Sequence, residues 1–502
     1  MKKTALISVS DKTNLIELAE GLRKHGYSII ATGGTAAYLK DHHFQVTEIS
    51  QLTGFPEVME GRVKTLNPVV FGGILYKRDN QEHQQQLVQI GGESIDVVCV
   101  NLYPFEAAAR NPDSTVEKLI ENIDIGGPSL IRAAAKNHKF VTVLTNPSQY
   151  EKFLSLIAGD SLTEESRRTF AVDAFLYTQQ YDALISGTLS KRFFDHSVFS
   201  LNYTSGTPLR YGENPHQSAG MYGDFYSCIR VHHGKELSYN NIMDTIAAVG
   251  ITEEFDRPVA AIIKHVNPAG VAQAEDLLTA YTKALSCDPV SAFGGIVSFN
   301  GIVDNKLAEK LNEIFLEVII AEGYTDDALI ILQKKKDRRI LSKISLFSAS
   351  EIEFRSIPGG LIYQSADRGL KPEFKCVTEK TSTPDMMEEI EFSWKIVKHI
   401  RSNAILFTRD KMTLGIGGGQ VSRVDAVRLA VMKAKDRGHD LNGSCVASDA
   451  FFPFADGLEE CVAAGAGIIV QPGGSVRDEE VIAAANRLQV SMYFTGHRHF
   501  KH

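Results

Sequence analysis

The stretch VAAIIKHVNPAG, residues 259–270, places an adjacent Lys264 and His265 directly after five apolar residues. A lysine brings a fixed positive charge, and histidine is the side chain whose ordinary titration falls near neutral pH, so the pair could act as electrostatic stabiliser and general base. Regular strand geometry sends neighbouring side chains to opposite faces, so a shared site requires the strand to break at Lys264. The sequence predicts such a break: Asn267 is a favoured helix N-cap, Pro268 suits a first helical position, and Val271, Leu278, Tyr281 and Leu285 follow at helical spacing. A helix starting there, together with the lysine charge, would favour a neutral imidazole able to take a proton. The plain alternative is a surface lysine beside a histidine satisfied by a loop carbonyl.

Further polar clusters fall where strands meet helices. SVSDKT sets Ser10, Asp11, Lys12 and Thr13 between a strand and a helix, and TGGT repeats that placement with Thr32 and Gly34. Glycine lets a ligand approach the backbone, and helix N-termini aim N–H groups at phosphate. GRVKTLNP adds Arg62, Lys64 and Thr65, enough cationic and hydroxyl donors for one phosphate, although a solvated basic loop reads the same way. NLYPF offers Asn101 and Tyr103, and DIGGPSLIRAAAKNH offers Asp124 and Lys136; a helix over 128–137 would hold those two roughly 15 Å apart.

Beyond residue 200, RYGENPHQ carries Arg210, Tyr211, Asn214 and His216, and GKELSYNN carries Asn240 and Asn241. RSNAIL gives Asn403, and GGGQVSR gives Gln420 and Arg423 beside a Ser422/Asp425 capping box. SDAFFPF sets Asp449 and Phe451 in an aromatic wall; the tail GHRHFKH holds Arg498 and reads by itself as a frayed end. The basic run at 334–339, KKKDRR, reads as a solvated face.

The elements that must carry these groups alternate between short apolar runs and helix-period stretches. Residues 1 to about 145 have the rhythm of a parallel sheet covered by helices. Periodicity fades after residue 186 in a Gly-, Ser- and Thr-rich stretch, which sets a boundary between 1–198 and 199–502. The second part contains a weak internal repeat, aligned through VAAII and MTLGI at roughly 155 residues, which suggests duplicated subdomains. With 502 residues, 61 acidic against 53 basic side chains and a formal charge of -8, the composition argues against generalised nucleic-acid or anionic-membrane binding. Six cysteines without a C-x-x-C pair suit a reduced cytoplasmic protein better than a disulfide framework or a structural zinc site. The N-terminus lacks the apolar stretch of a signal peptide, and no run approaches the length of a membrane span.

Taken in order, SVSDKT, TGGT, GRVKTL, NLYPF, DIGGP, RAAAKNH, RYGENPHQ, KHVNPAG, SAFGG, SDAFFPF, QPGGSVRD and GHRHFKH closely resemble the bifunctional purine-biosynthesis family. That family joins 5-aminoimidazole-4-carboxamide ribonucleotide (AICAR) formyltransferase to inosine monophosphate (IMP) cyclohydrolase. The resemblance spans nearly the whole chain. It implies an α/β protein: an N-terminal methylglyoxal-synthase-like parallel-sheet domain that closes the purine ring, and C-terminal duplicated cytidine-deaminase-like α/β subdomains that transfer a formyl group. The substrates implied are AICAR, formyl-AICAR, IMP and the cosubstrate 10-formyltetrahydrofolate; a homodimer is implied, a monovalent cation is compatible, and neither nucleic acid nor membrane is a partner. Zinc is not implied, because the H-x-E and P-C-x-x-C ligands of a deaminase are missing from the sequence.

Carried over by motif, the resemblance makes Lys264 and His265 the formyl-transfer pair, and Lys64, Tyr103, Asp124 and Lys136 the cyclohydrolase positions. Arg210, Tyr211, Asn241, Asn403, Arg423, Phe451 and Arg498 would hold the ribonucleotide or folate. Ser10, Lys12, Thr32, Gly34, Arg62 and Thr65 would cradle the nucleotide phosphate, with Asn101 counted among the substrate contacts. The family commonly has a cysteine at Ala269, histidines at Asn67 and Phe71, and a proline at Glu322. A rival reading makes the N-terminal domain a ligand-sensing module; a second, a zinc deaminase, lacks its ligands.

Overall fold

The computed structural model describes residues 3–56, 58–195, 198–201, 203, 206–347, 352–367 and 372–502. The chain divides into two compact units, Met1–Thr204 and Ser205–His502. Among the described residues no helix is long and apolar enough to cross a membrane.

In the first unit five strands form one parallel sheet: β1 (Lys3–Val9), β2 (Tyr27–Ala31), β3 (Val46–Glu48), β4 (Val97–Asn101) and β5 (Thr142–Leu144). Their order is β3-β2-β1-β4-β5, all neighbours parallel. Helices on the sheet explain why β4 is buried at every residue and reads as a continuous VVCVN run. The helix Leu15–Lys24 buries Leu15, Leu18, Ala19 and Leu22, the face its spacing predicts. Strand order reverses between β1 and β4, so the chain leaves their carboxyl ends in opposite directions and opens a crevice there.

The second unit begins with a short hairpin, β6 (Gly206–Leu209) and β7 (Ala219–Tyr222). It continues with β8 (Ile229–His233), β9 (Val259–Lys264), β10 (Asn267–Gln273), β11 (Gly295–Phe299), β12 (Ile302–Val303), β13 (Leu316–Ala321), β14 (Gly323–Tyr324) and β15 (Arg339–Lys343). An outlying hairpin, β16 (Ile352–Ile357) with β17 (Gly360–Ser365), precedes β18 (Lys375–Cys376), β19 (Ile405–Arg409), β20 (Met412–Gly417), β21 (Ser444–Ser448), β22 (Ala466–Gln471) and β23 (Ser491–Phe494). One twelve-stranded sheet runs β18-β23-β22-β21-β19-β20-β10-β9-β11-β13-β15-β8. The two halves of that order mirror each other about the antiparallel β10–β20 contact, where Ala272 faces Met412. The duplication expected from the sequence is therefore real, but its register differs. β9 corresponds to β19 and β10 to β20, so VAAII matches ILFTR and not MTLGI.

The reason lies in the opening motif, and it corrects the expected helix. KHVNPAG does not start one: His265 and Val266 form a two-residue loop, and Asn267–Gln273 returns as β10 antiparallel to β9. Both loop residues have positive φ, 52° and 63°, the left-handed pair whose twist matches a tight hairpin. Pro268 sits where the register shifts between Pro268 and Gly270, a place where a missing N–H is tolerated. The apolar run that follows is buried strand, and the helix it suggested begins only at Leu277. Gly270 is required by close packing: a Cβ there would lie 1.9 Å from the Ala284 carbonyl oxygen of that helix.

A second correction concerns KKKDRR. Lys334 to Lys336 are exposed, but Arg338 and Arg339 are 1% and 8% exposed. Arg338 donates through its terminal nitrogens to the Leu311 and Ile314 carbonyls and the Asn312 side chain, and Arg339 to the Glu236 carbonyl, which offsets much of the penalty of burying the guanidinium groups, although Arg338 Nε is left without a partner among the described residues. Sequence spacing could not separate the buried arginines from the solvated lysines beside them.

Candidate active sites

In the first unit the predicted residues converge on the crevice beyond β1, β2 and β4. The loop after β1 is tied to the end of β4 by Asn101, whose Oδ1 accepts the Ser10 and Asp11 amides at 2.6 and 2.9 Å and whose Nδ2 donates to the Asp11 carbonyl. Asn101 is nearly buried and its bonds are internal, so it holds the Ser10–Lys12 loop in place. Lys12 Nζ lies over the Tyr38 ring, 5.9 Å from its centroid. Thr32 is buried and shares a hydrogen bond of 2.7 Å with Ser8. The helix Gly33–Asp41 then starts at exposed Gly33 and Gly34.

Lys64 meets that helix start: a side chain added at Gly33 would begin 3.2 Å from its Nζ. Thr65 is buried against the start of the helix Gly126–Lys136, where a Cβ at Gly126 would begin 2.5 Å from its Oγ1. Asp124 closes the ring, accepting the Gly127 amide at 2.7 Å. Burial pushes the Asp124 carboxyl up, while the amides of Gly127 and Tyr103 and the charge of Lys64 oppose that rise. The Tyr103 side chain is half exposed at the rim.

Two predicted residues stand apart. Arg62 is exposed and paired with Glu121 at 2.5 Å. Lys136 is the exposed last residue of the helix whose first turn adjoins Asp124, roughly 15 Å along the axis, so the fold does not bring the two together. Asn67, where the family commonly has histidine, caps the helix Pro68–Leu75 by accepting the Val69 amide. The sequence reading missed two tyrosines on the helix Glu164–Phe194. The Leu102 amide donates to Tyr177 Oη and the Asp124 amide to Tyr181 Oη, at 3.0 and 2.9 Å. Their four-residue spacing puts them on one helix face, a signal the sequence did carry.

In the second unit Lys264 and His265 line one cleft of about 270 Å³, together with Asn267, Asp288, Ser291 and Lys433. The hairpin turn produces this: β9 ends at Lys264, and the left-handed His265 leaves the alternation that would have sent it to the other face. Lys264 Nζ donates to the Phe293 carbonyl at 2.9 Å, which anchors it in the SAFGG loop. No helix begins at Asn267, so a dipole argument for His265 falls away; Asp244 instead accepts the Val266 amide at 2.6 Å. Asp288, at the cleft floor, is paired with Arg437 and Lys433 at 3.1 and 3.5 Å. Burial pushes the Asp288 carboxyl up, but hydrogen bonds from Ser291 and Arg437 outweigh it and hold it below the usual range.

Asn267 Oδ1 accepts the Arg401 amide, which joins this hairpin to the segment carrying Asn403. Asn403 Oδ1 accepts from Arg423, and the guanidinium is paired with wholly buried Asp449. Ser422 caps the helix Arg423–Asp436 by accepting the Asp425 amide, but Asp425 does not return the bond, so the expected capping box is only half formed. Phe451 is half-buried two residues beyond Asp449, and Arg498 is exposed over the Phe500 ring at 4.6 Å. The terminal segment is not frayed: His499 is 3% exposed, and its amide donates to the Asp449 carbonyl. Arg210 lies against the Tyr211 ring, and Asn241 donates to Glu317; none of Arg210, Tyr211, Asn241, Asn403, Arg423, Phe451 and Arg498 lines the Lys264 cleft. Asp244, Asp288 and Lys433 were not singled out from sequence, although Asp244 follows Asn241 at helical spacing.

Comparisons with known proteins agree on one identity. Residues 14–129 match the MGS-like domain family, and residues 134–433 match the family described as AICARFT/IMPCHase bienzyme. Proteins named bifunctional purine biosynthesis protein PurH are similar over the whole of this chain and of their own: 48% identical in Persephonella marina, and 45% and 46% in Bacillus cytotoxicus and Bacillus cereus. The chain belongs to the AICARFT/IMPCHase bienzyme family and is a bifunctional enzyme of purine biosynthesis, an AICAR formyltransferase and IMP cyclohydrolase that uses a folate cosubstrate.

Proposed function

We propose that the two activities are divided between the units: Met1–Thr204 closes the ring, and Ser205–His502 transfers the formyl group from 10-formyltetrahydrofolate to AICAR. The observation that carries the second assignment is the placing of Lys264 and His265 in one cleft. The acceptor amine of AICAR is deactivated by its neighbouring carboxamide. His265 takes the proton from that amine as it attacks the formyl carbon, and Lys264 stabilises the charge that develops on the formyl oxygen or the departing folate nitrogen. An ammonium has three N–H donors, and the bond to Phe293 orients one of them.

Ring closure requires the carboxamide nitrogen to reach the formyl carbon of formyl-AICAR, with an oxyanion stabilised and water lost. Lys64, between the Gly33 helix start and Asp124, supplies the positive charge, and the helix N-terminus at exposed Gly33 and Gly34 suits the nucleotide phosphate. Positioning within the crevice supplies much of the rest. Arg62 and Lys136 would need movement to join this site; Lys64, Thr65 and Asp124 would not.

A homodimer is supported by the outlying β16–β17 hairpin, which exposes Ile357, Leu361 and Ile362 at 43, 37 and 56%. A two-stranded hairpin with apolar residues in water is marginal by itself, and a second copy would cover it. Free thiols at all six cysteines support a reducing, cytoplasmic setting.

The test is to follow each step separately. His265→Ala is expected to abolish formyl transfer and leave cyclisation of supplied formyl-AICAR, and Lys64→Ala to do the reverse. Loss of both activities in either folded variant would overturn the division. Retained cyclisation in Lys64→Ala would favour a sensing role for the first unit.

A further inference from the structure

We propose that Asp244 is a positioning residue for formyl transfer: its carboxylate, by accepting the Val266 amide, holds the left-handed turn that delivers His265 and Lys264 to one cleft. The proposal rests on reading those two residues as the transferring pair.

The turn needs such a hold. Neither His265 nor Val266 is glycine, both have positive φ, and a β-branched valine in that region is strongly disfavoured. A carboxylate acceptor on the part-buried Val266 amide compensates, since hydrogen bonds to an ionised group are the stronger ones. Asp244 lies on the helix Tyr239–Thr252, so the acceptor is fixed by regular structure. That helix is itself anchored: Ser238 and Asn241 form a capping box at its start, and Asn241 reaches Glu317. Burial pushes the Asp244 carboxyl up, and the hydrogen bond from the Val266 amide works against this, as expected of a carboxylate turned towards the hairpin.

The duplicated half provides an independent observation. There the hairpin β19–β20 turns through Asp410 and Lys411, both with φ of 54°, and Glu389 accepts the Lys411 amide at 2.8 Å. Asp244 and Glu389 are 145 positions apart, and so are Val266 and Lys411. An acid on the preceding helix therefore holds the second residue of the turn in both copies. Only the first turn carries a lysine and histidine at a cleft, so the shared device acquires a bearing on rate only there.

The test compares Asp244→Ala, Asp244→Asn, Glu389→Ala and His265→Ala in the full chain, reading kcat and KM for formyl transfer, cyclisation of supplied formyl-AICAR, and thermal midpoint. Asp244→Ala is expected to lower kcat at least about tenfold with KM for AICAR nearly unchanged, because small displacements of reacting groups cost rate. Asp244→Asn keeps an oxygen acceptor and should restore most of that rate. Glu389→Ala should lower the midpoint while leaving transfer within about twofold of wild type, as a hairpin remote from the pair would. Wild-type kcat in Asp244→Ala, an Asn variant as slow as the Ala variant, or an equal kcat loss in Glu389→Ala each overturns the proposal. If Asp244→Ala does not fold, Asp244→Glu decides: the acceptor is kept but displaced, so a reduced kcat at unchanged KM supports positioning and a wild-type kcat overturns it. Active His265→Ala would refute the underlying reading of the pair, whereas inactive His265→Ala with fully active Asp244→Ala refutes only the role of Asp244.

Discussion

Arg423 donates to Asp449 across 2.6 Å in a pair whose side chains are 7% and 0% exposed. The same guanidinium reaches Ser448 and Asn403, and Asp449 also accepts from Ala404 and Ser402. One ion pair thus gathers the Asn403 segment, the end of β21 and, through the Asp449 carbonyl, the terminal residues. Leaving one partner of a buried pair without its counter-charge costs about 3–5 kcal/mol. Asp449→Ala should therefore lower the unfolding free energy of the second unit by that order and suppress formyl transfer, with cyclisation retained. An unchanged denaturant midpoint would contradict this.

The terminal residues belong to the same network. The Ser402 amide donates to the Lys501 carbonyl, and the Lys501 amide returns a bond to Ser402 Oγ. His499 also pairs with Asp367 at 2.6 Å and packs against Trp394. A variant lacking residues 498–502 is expected to lose formyl transfer while cyclising formyl-AICAR at the wild-type rate. Steady-state assay of the two steps checks it; undiminished transfer would remove the tail from the site.

Tyr181 bridges two loop ends, accepting the Asp124 amide and donating to the Asn122 carbonyl. Burial pushes its hydroxyl up to about 12, so it stays protonated as a donor. Tyr181→Phe removes both bonds and leaves partly buried backbone groups unsatisfied, a cost of about 1–3 kcal/mol. Cyclisation should slow through displaced Asp124, with formyl transfer unaffected.

Acid should weaken the second unit through His399 and Glu254. Burial brings the His399 imidazole down to about 4, so the fold holds it neutral and binds its proton more weakly than the unfolded chain does. That stability is complete above 6.5 and is lost as pH falls toward 4. Burial pushes the Glu254 carboxyl up, but His399 and the Lys398 ammonium at 2.5 Å outweigh it and bring it to about 2. Its contribution is present above 4.5 and is lost as pH falls through about 2. Denaturant midpoints for this unit should drop first between pH 6.5 and 4, and His399→Gln should flatten that limb.

Much of the candidate chemistry could be read from residue order, because ordered motifs name the groups and apolar periodicity names their elements. The parallel sheet of the first unit, the helix face of Leu15, Leu18, Ala19 and Leu22, and the duplication of the second unit all follow from local patterns that dominate local structure. What the pattern at Asn267 could not express is competition. Local cap chemistry favours a helix there, but strand pairing with Lys264 and close packing of Gly270 on Ala284 favour a hairpin. Only the tertiary contacts decide that contest, and they also turn Lys264 and His265 onto one cleft.

The sequence by itself determined which residues carry charge, protons and hydrogen bonds, and therefore which reactions the chain can perform. The tertiary structure decided which of them meet: Lys64 with Asp124 but not Lys136, Arg423 buried on Asp449, and Asp244 beneath a turn 22 residues away. Such pairings depend on burial and on which segments the sheet brings side by side, and neither is encoded within the span of a motif.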